Sequence, residues 1–217
     1  IKESTSHVSI LTSSSGSNIA KIIPEIDGTL TFDPPWAKHE HPVNHRQLLS
    51  MAHKIKRNKF DAAFIFTTYS QSPLPAALLC YLADIPLRAG YCRENPYKLI
   101  NRRLPEQEPD KFIRHEVQRQ LDLVETFGYM SNDKNLSIKV SPKTKTRINE
   151  KLAALKVPIG QWYVLHPGAS ALSRRYPAEY FAKVMRLLSG YKKIAILTGQ
   201  KNETPIIEKI AKHSPPL

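Results

Sequence analysis

The residues best suited to chemistry lie between His166 and Arg175. His166-Pro167-Gly168-Ala169-Ser170 sets a hydroxyl beside a glycine where backbone amides can approach a ligand, and Arg174 and Arg175 follow closely. Exposed amides and guanidinium groups attract phosphate, because both donate hydrogen bonds towards negative charge. An ordinary strand-to-helix connection with surface arginines would carry the same residues, so the loop alone leaves both readings open. Other candidates are more diffuse. His39, His41 and His45 are close in sequence, but only Asp33 and Glu40 lie near them and no cysteine does, which favours a solvated loop over a metal site. Arg93, Lys98, Arg102 and Arg103 fall in a polar stretch, 93–114, that reads as an irregular loop. A phosphorylated acceptor could meet them there, although a solvated face is the default for such a run. The Ser/Gly cluster at 13–17 lacks the Lys-Ser/Thr ending of a P-loop and reads as a connector.

These side chains need elements to position them. Trp162-Tyr163-Val164-Leu165 suits a buried strand, Pro167 and Gly168 stop it, and Pro177 fits the first turn of a helix, where no amide hydrogen is required. The order strand, glycine loop, helix matters because open α/β sheets bind ligands at the carboxyl ends of their strands. Phe181, Val184, Met185 and Leu188 then share one helix face up to Gly190, and 193–197 follows as a strand. Earlier, 7–12 and 27–32 read as strands, 18–23 as a short helix, and 45–58 as an amphipathic helix bearing Leu48, Leu49, Ala52 and Ile55. Residues 60–66 form the clearest buried strand. Ser72 caps and Pro73 opens a helix through Ala83, and a strand over 87–91 completes a parallel βαβ unit. Helices are also expected over about 112–127 and from Pro142 to Leu155.

The bulk properties set wide limits. A chain of 217 residues with 41% apolar content can bury a substantial core in one large or two small domains. No run of about 18 uninterrupted apolar residues occurs, so no spanning helix is expected. No secretory signal is visible, and the opening Ile1 in place of Met points to a segment of something longer. Cys80 and Cys92 are too few for a disulfide framework, which favours a reducing, cytosolic setting. Thirty-two Lys and Arg against 19 Asp and Glu give a net charge of +13. That field favours anionic partners without choosing among phosphates, nucleic acid and an acidic membrane face.

Several segments together resemble the lipopolysaccharide heptosyltransferases, glycosyltransferase family nine. His166-Pro167-Gly168-Ala169-Ser170 with Arg174-Arg175-Tyr176-Pro177-Ala178-Glu179 is similar to that family's "HPGAS … K/R-x-W-P-x-E" pattern, Tyr176 standing for the usual Trp. Asp61-Ala62-Ala63-Phe64-Ile65 and 83–91 resemble its "D-x-x-I … L-A-G-I-P-x-R-x-G" stretch, with Asp84 in place of Gly. Thr198-Gly199-Gln200-Lys201-Asn202-Glu203 resembles "T-G-x-x-x-E", and His115 matches a His often found there. For His115 a histidine satisfied by a backbone group is an equally good reading.

The resemblance implies an α/β chain of GT-B type: two Rossmann-like lobes with parallel sheets, an acceptor-side lobe over 1–141 and, over 142–217, a linker helix with the start of a nucleotide-sugar lobe, both incomplete. It implies an inverting, metal-independent transfer of a sugar, heptose above all, from an ADP-heptose-like donor to an anionic glycolipid acceptor of the lipopolysaccharide-core type. Gly168, Ser170 and Arg174 would hold the donor diphosphate, Gly199 and Glu203 the nucleotide or sugar, and Arg93, Arg102 and His115 the acceptor. No cofactor, metal or nucleic acid is called for, and the setting would be cytoplasmic, peripheral to a bacterial inner membrane. The family's early "G-D" turn, bearing the expected base, and its late "D-S/T-G-x-x-H" loop have no counterpart here, so the polypeptide as given is not expected to turn over. Alternatives are a non-catalytic nucleotide or sugar binder of the same fold, or a basic nucleic-acid-binding α/β module supported by charge alone.

Overall fold

A computed structural model describes residues 6–37, 44–136, 138–191 and 193–213. The chain divides into two compact units, Ile1–Lys139 and Val140–Leu217. In the first, β1 (Ser9–Thr12) pairs in parallel with β2 (Gly28–Thr31), and the short α1 (Ser17–Ala20) lies in their connection. A separate parallel sheet holds β3 (Ala62–Ile65), β4 (Leu87–Cys92) and β5 (Arg102–Pro105) in that order. Parallel neighbours require a crossover, and α3 (Leu74–Leu82) provides it between β3 and β4.

Helix α2 (His45–Arg57) begins where its sequence tells it to. Asn44 Oδ1 accepts from the Gln47 amide at 3.0 Å, and Gln47 Oε1 accepts from the Asn44 amide at 2.9 Å, a reciprocal cap. Its apolar side, Met51, Ala52 and Ile55, is buried with Leu79, Cys80, Ala83 and Ile85. Helix α3 ends in a Schellman turn: the Ile85 amide donates to the Cys80 carbonyl at 3.1 Å and the Asp84 amide to that of Tyr81 at 3.0 Å. Asp84 takes φ of 56°, the left-handed conformation glycine favours, so the family's usual Gly at this position has a backbone reason. Ser72 Oγ accepts from the Leu74 amide at 3.3 Å and donates to Glu94 at 2.6 Å, while Pro73 is the residue just before the helix.

Two expectations for 93–114 and 112–127 need correcting. The stretch read as an irregular loop contains β5, whose register runs from Arg102 opposite Ala89 to Pro105 opposite Cys92. Its side chains are mostly exposed, so it shows neither alternation nor an apolar run; the partner strand, not local pattern, makes it a strand. The following helix, α4 (Glu116–Glu125), starts later than expected because His115 is its cap. The His39/His41 candidate lies outside the described residues, and His45 is the first residue of α2.

The second unit begins with α5 (Pro142–Ala154), capped by Ser141 Oγ accepting from the Thr144 amide at 3.2 Å. β6 (Trp162–Leu165) pairs in parallel with β7 (Ile194–Leu197), α6 (Ala178–Ser189) crosses between them, and α7 (Thr204–Lys212) follows. Ala178 and Ala182 of α6 and Ile210 of α7 are buried, and Lys209 pairs with Glu179 across the two helices at 3.7 Å.

Candidate functional site

The loops after β6 and β7 lie side by side because their strands are hydrogen-bonded neighbours. Their pairing continues past the sheet: the Thr198 amide donates to the Leu165 carbonyl at 2.9 Å, and His166 Nδ1 is 3.0 Å from the Thr198 carbonyl. A carbonyl only accepts, so His166 carries its proton on Nδ1 in this bond. Both loops thus emerge at the carboxyl edge, where parallel sheets present ligands with amides rather than side-chain bulk.

Glu203 closes a 3₁₀ turn, Lys201–Glu203, and immediately precedes α7 rather than lying within it. Its carboxylate turns back to accept from the Gln200 amide at 2.7 Å. In that position it lies directly against Gly168: a β-carbon there would stand 1.8 Å from Glu203 Oε1. A β-carbon on Gly199 would stand 3.0 Å from Oε2. Gly168, far from the other two in sequence, is therefore in one cluster with Gly199 and Glu203.

Ser170 and Arg174 are also brought together, with Arg174 Nη2 donating to Ser170 Oγ at 2.9 Å across the turn Leu172–Arg174. The two arginines have separate tasks. Arg175 Nε donates inward to the Ala169 carbonyl at 2.9 Å and braces the loop, whereas Arg174 is exposed at its rim. Tyr176, in the position of the family's Trp, packs on Tyr180 and Phe181 with ring centres 5.4 Å away in each case.

In the first unit, the proposed acceptor residues are placed unevenly. Arg93 follows β4 and donates to the Glu108 carbonyl. His115 is exposed in the β5–α4 connection, its Nδ1 accepting from the Val117 amide at 3.3 Å, so the backbone-satisfied reading holds for that nitrogen. Arg102 begins β5 opposite Ala89, three residues back from the carboxyl end, or roughly 10 Å at the strand's rise. Arg103 is used structurally, donating to the carbonyls of Cys92 at 3.0 Å and Arg93 at 2.8 Å.

Sequence reasoning missed a buried polar network at this same edge. Arg119 is 1% exposed and bonds to Glu106 and to the carbonyl of Thr67, two residues past the end of β3. Its guanidinium lies over the Tyr91 ring at 4.6 Å, and Glu108, wholly buried, accepts from Arg114 Nε at 2.6 Å. Burial pushes the Glu106 carboxyl up, but bonds from the Glu108 amide and Arg119 outweigh it and hold it below the usual range. In the sequence these are four unremarkable charges, two acidic followed by two basic; only burial reveals them.

The family model described as glycosyltransferase family 9 (heptosyltransferase) matches residues 48–216, most of the chain and both units. The chain belongs to glycosyltransferase family 9. No curated protein sequence matches it significantly. Among solved structures this family 9 chain is similar to E. coli ADP-heptose LPS heptosyltransferase II, with a TM-score of 0.69 and 15% identity over 97% of this chain and 60% of that one. It is similar also to a family 9 glycosyl transferase from Veillonella parvula DSM 2008, with a TM-score of 0.73 and 15% identity over 96% and 57% of the two chains. A third likeness is to E. coli heptosyltransferase WaaC with ADP, at a TM-score of 0.52 and 16% identity over 94% and 71%. These likenesses bear on fold: an α/β chain with parallel sheets, as in the GT-B heptosyltransferases. The family 9 chain spans 60% and 57% of the lengths of the first two structures. Among the described residues no helix is long and apolar enough to cross a membrane.

Proposed function

We propose that this protein works in transferring a sugar from a nucleotide-activated donor to an anionic acceptor, and that its second unit grips the donor. The observation carrying this reading is the convergence of two βα loops through Gly168 and Glu203, with Arg174 exposed beside Ser170 at the rim. Glycine there lets backbone approach a ligand closely, Ser170 and Arg174 would donate to the diphosphate, and Gly199 and Glu203 would meet ribose or sugar hydroxyls. Arg174 would offset the charge that develops on the departing diphosphate, which is what such a transfer needs from a fixed cation. Following the family, the donor would be ADP-heptose-like and the acceptor a lipopolysaccharide-core glycolipid reached at the inner surface of a bacterial membrane. The reaction would be inverting and metal-independent, a carboxylate removing the acceptor's proton as its oxygen attacks the anomeric carbon. Arg93 and His115, with Arg102 farther back at the start of β5, would meet the acceptor's negative charge.

The test is thermal. A nucleoside diphosphate at a hundredfold excess over its Kd should stabilise the protein by about 2.7 kcal/mol, and Arg174→Ala should abolish much of the rise in Tm. Equal protection by unrelated polyanions would defeat the reading and favour charge alone.

A further inference from the structure

At the end of β6 a side chain takes over the work of the backbone. The Ile194 amide donates to the Gln161 carbonyl at 2.8 Å and the Thr198 amide to the Leu165 carbonyl at 2.9 Å, both within one parallel register. Bonds in such a ladder run alternately from each strand, so the next would pass from the amide of residue 167 to the Thr198 carbonyl. Residue 167 is proline and has no amide hydrogen. The carbonyl is satisfied nonetheless, because the preceding side chain reaches it. His166 Nδ1 lies 3.0 Å from the Thr198 carbonyl oxygen and 3.4 Å from Thr198 Oγ1. An imidazole N–H thus replaces the backbone N–H that Pro167 lacks.

The replacement lets the chain turn and stay tied at once. Pro167, buried, restricts the direction in which the chain leaves the sheet, while His166 holds the loop after β6 to the loop after β7. The next residue, Gly168, is the one that lies against Glu203, and Ser170 and Arg174 follow on the same loop. His166 and Thr198 are both exposed, so their bond is exchanged against bonds to water and contributes little to folding. Its consequence is geometric: a ligand gripped by two loops binds more tightly when both are set beforehand, because less ordering remains to be done on binding. We propose that His166 is a positioning residue for the donor diphosphate, acting through Nδ1 on the Thr198 carbonyl and not by touching the ligand. The inference rests on the reading of the second unit as the part that grips the donor.

Calorimetric titration with ADP decides it. His166→Ala should raise the Kd for ADP about fivefold, the factor that corresponds to the roughly 1 kcal/mol of one hydrogen bond, with little change in the Tm of the unliganded protein. His166→Asn, whose side-chain amide nitrogen falls near the Nδ1 position, should restore most of the affinity. His166→Gln, whose amide nitrogen falls nearer the Nε2 position, should not. Pro167→Ala returns the missing amide hydrogen, so His166→Ala combined with Pro167→Ala should bind ADP more tightly than His166→Ala alone. If His166→Ala does not fold, the Asn and Gln variants decide between them. A wild type that binds ADP and a His166→Ala variant with the same Kd would overturn the inference and leave the donor reading standing, whatever happens to Tm. Rescue by Gln but not by Asn would also overturn it, by placing the ligand on Nε2. A wild type that does not bind ADP at all would sink the donor reading first, and this inference with it.

Discussion

The Glu203 carboxylate rests on the backbone of Gly168, so close that a β-carbon there would meet its Oε1 at 1.8 Å. Gly168→Ala must push Glu203 aside and break its bond to the Gln200 amide, which at 2.7 Å is a charge-assisted bond. The loss should be about 1–3 kcal/mol. Because the obstacle is a side chain, Gly168→Ala in a Glu203→Ala background should cost much less than in the wild type. Denaturant midpoints of the four proteins check this, and strict additivity would show that the two loops are not coupled.

Arg174 and Arg175 should separate in experiment as they do in structure. Arg174 is exposed, so Arg174→Ala should leave unliganded stability within about 0.5 kcal/mol of wild type while removing nucleoside diphosphate protection. Arg175→Ala removes the brace on the Ala169 carbonyl and should lower Tm before any ligand is added. Scanning calorimetry with and without ADP distinguishes them; the opposite assignment of effects would refute the division.

Asp84 holds a left-handed conformation at the end of α3. Asp84→Gly should raise stability by up to about 1 kcal/mol, since relief of the backbone outweighs an exposed ion pair to Lys56. A falling denaturant midpoint would mean that the ion pair matters more than the turn.

Removing Arg119 takes the arginine partner from the buried carboxylate of Glu106 and one of two arginine partners from that of Glu108, which keeps Arg114. Arg119→Met should cost roughly 3–5 kcal/mol, more than any exposed arginine in the chain. Replacing Glu106 and Glu108 by Gln in the same protein should recover part of the loss, as measured by urea unfolding. No recovery would place the cost in packing instead of stranded charge.

Burial raises the Cys80 thiol from 9.0 to about 11, opposed by the nearby Arg88 charge. The neutral thiol is the form the core accepts, so its contribution is full below pH 9 and declines as pH rises towards 11. Tm should therefore fall through that window, and Cys80→Ala should make the fall shallower even though it lowers Tm at neutral pH. Tyr91, raised first of all by burial, will leave a residual slope of the same sign. An identical slope in the variant would sink the assignment to Cys80.

Local chemistry sufficed wherever a segment's fate depends on its own residues. The start of α2 at His45 and of α5 at Pro142, the strand Trp162–Leu165 stopped by Pro167, and the apolar spacing of α2 and α6 could all be read directly, because propensity, periodicity and turn chemistry act within a few residues. The loop after β6 was legible for the same reason, its serine and arginine being a single turn apart. What the sequence left undecided depends on partners distant along the chain. β5 is a strand only because β4 offers it hydrogen bonds, and Arg103 is occupied only because the carbonyls of Cys92 and Arg93 lie beside it. Gly168 meets Glu203, and Arg119 meets Thr67 and Glu106, across separations that no spacing rule spans. Tertiary structure decided these because burial and hydrogen-bond pairing are properties of neighbours in space, and two charges of opposite sign look alike in a sequence whether water or a core surrounds them.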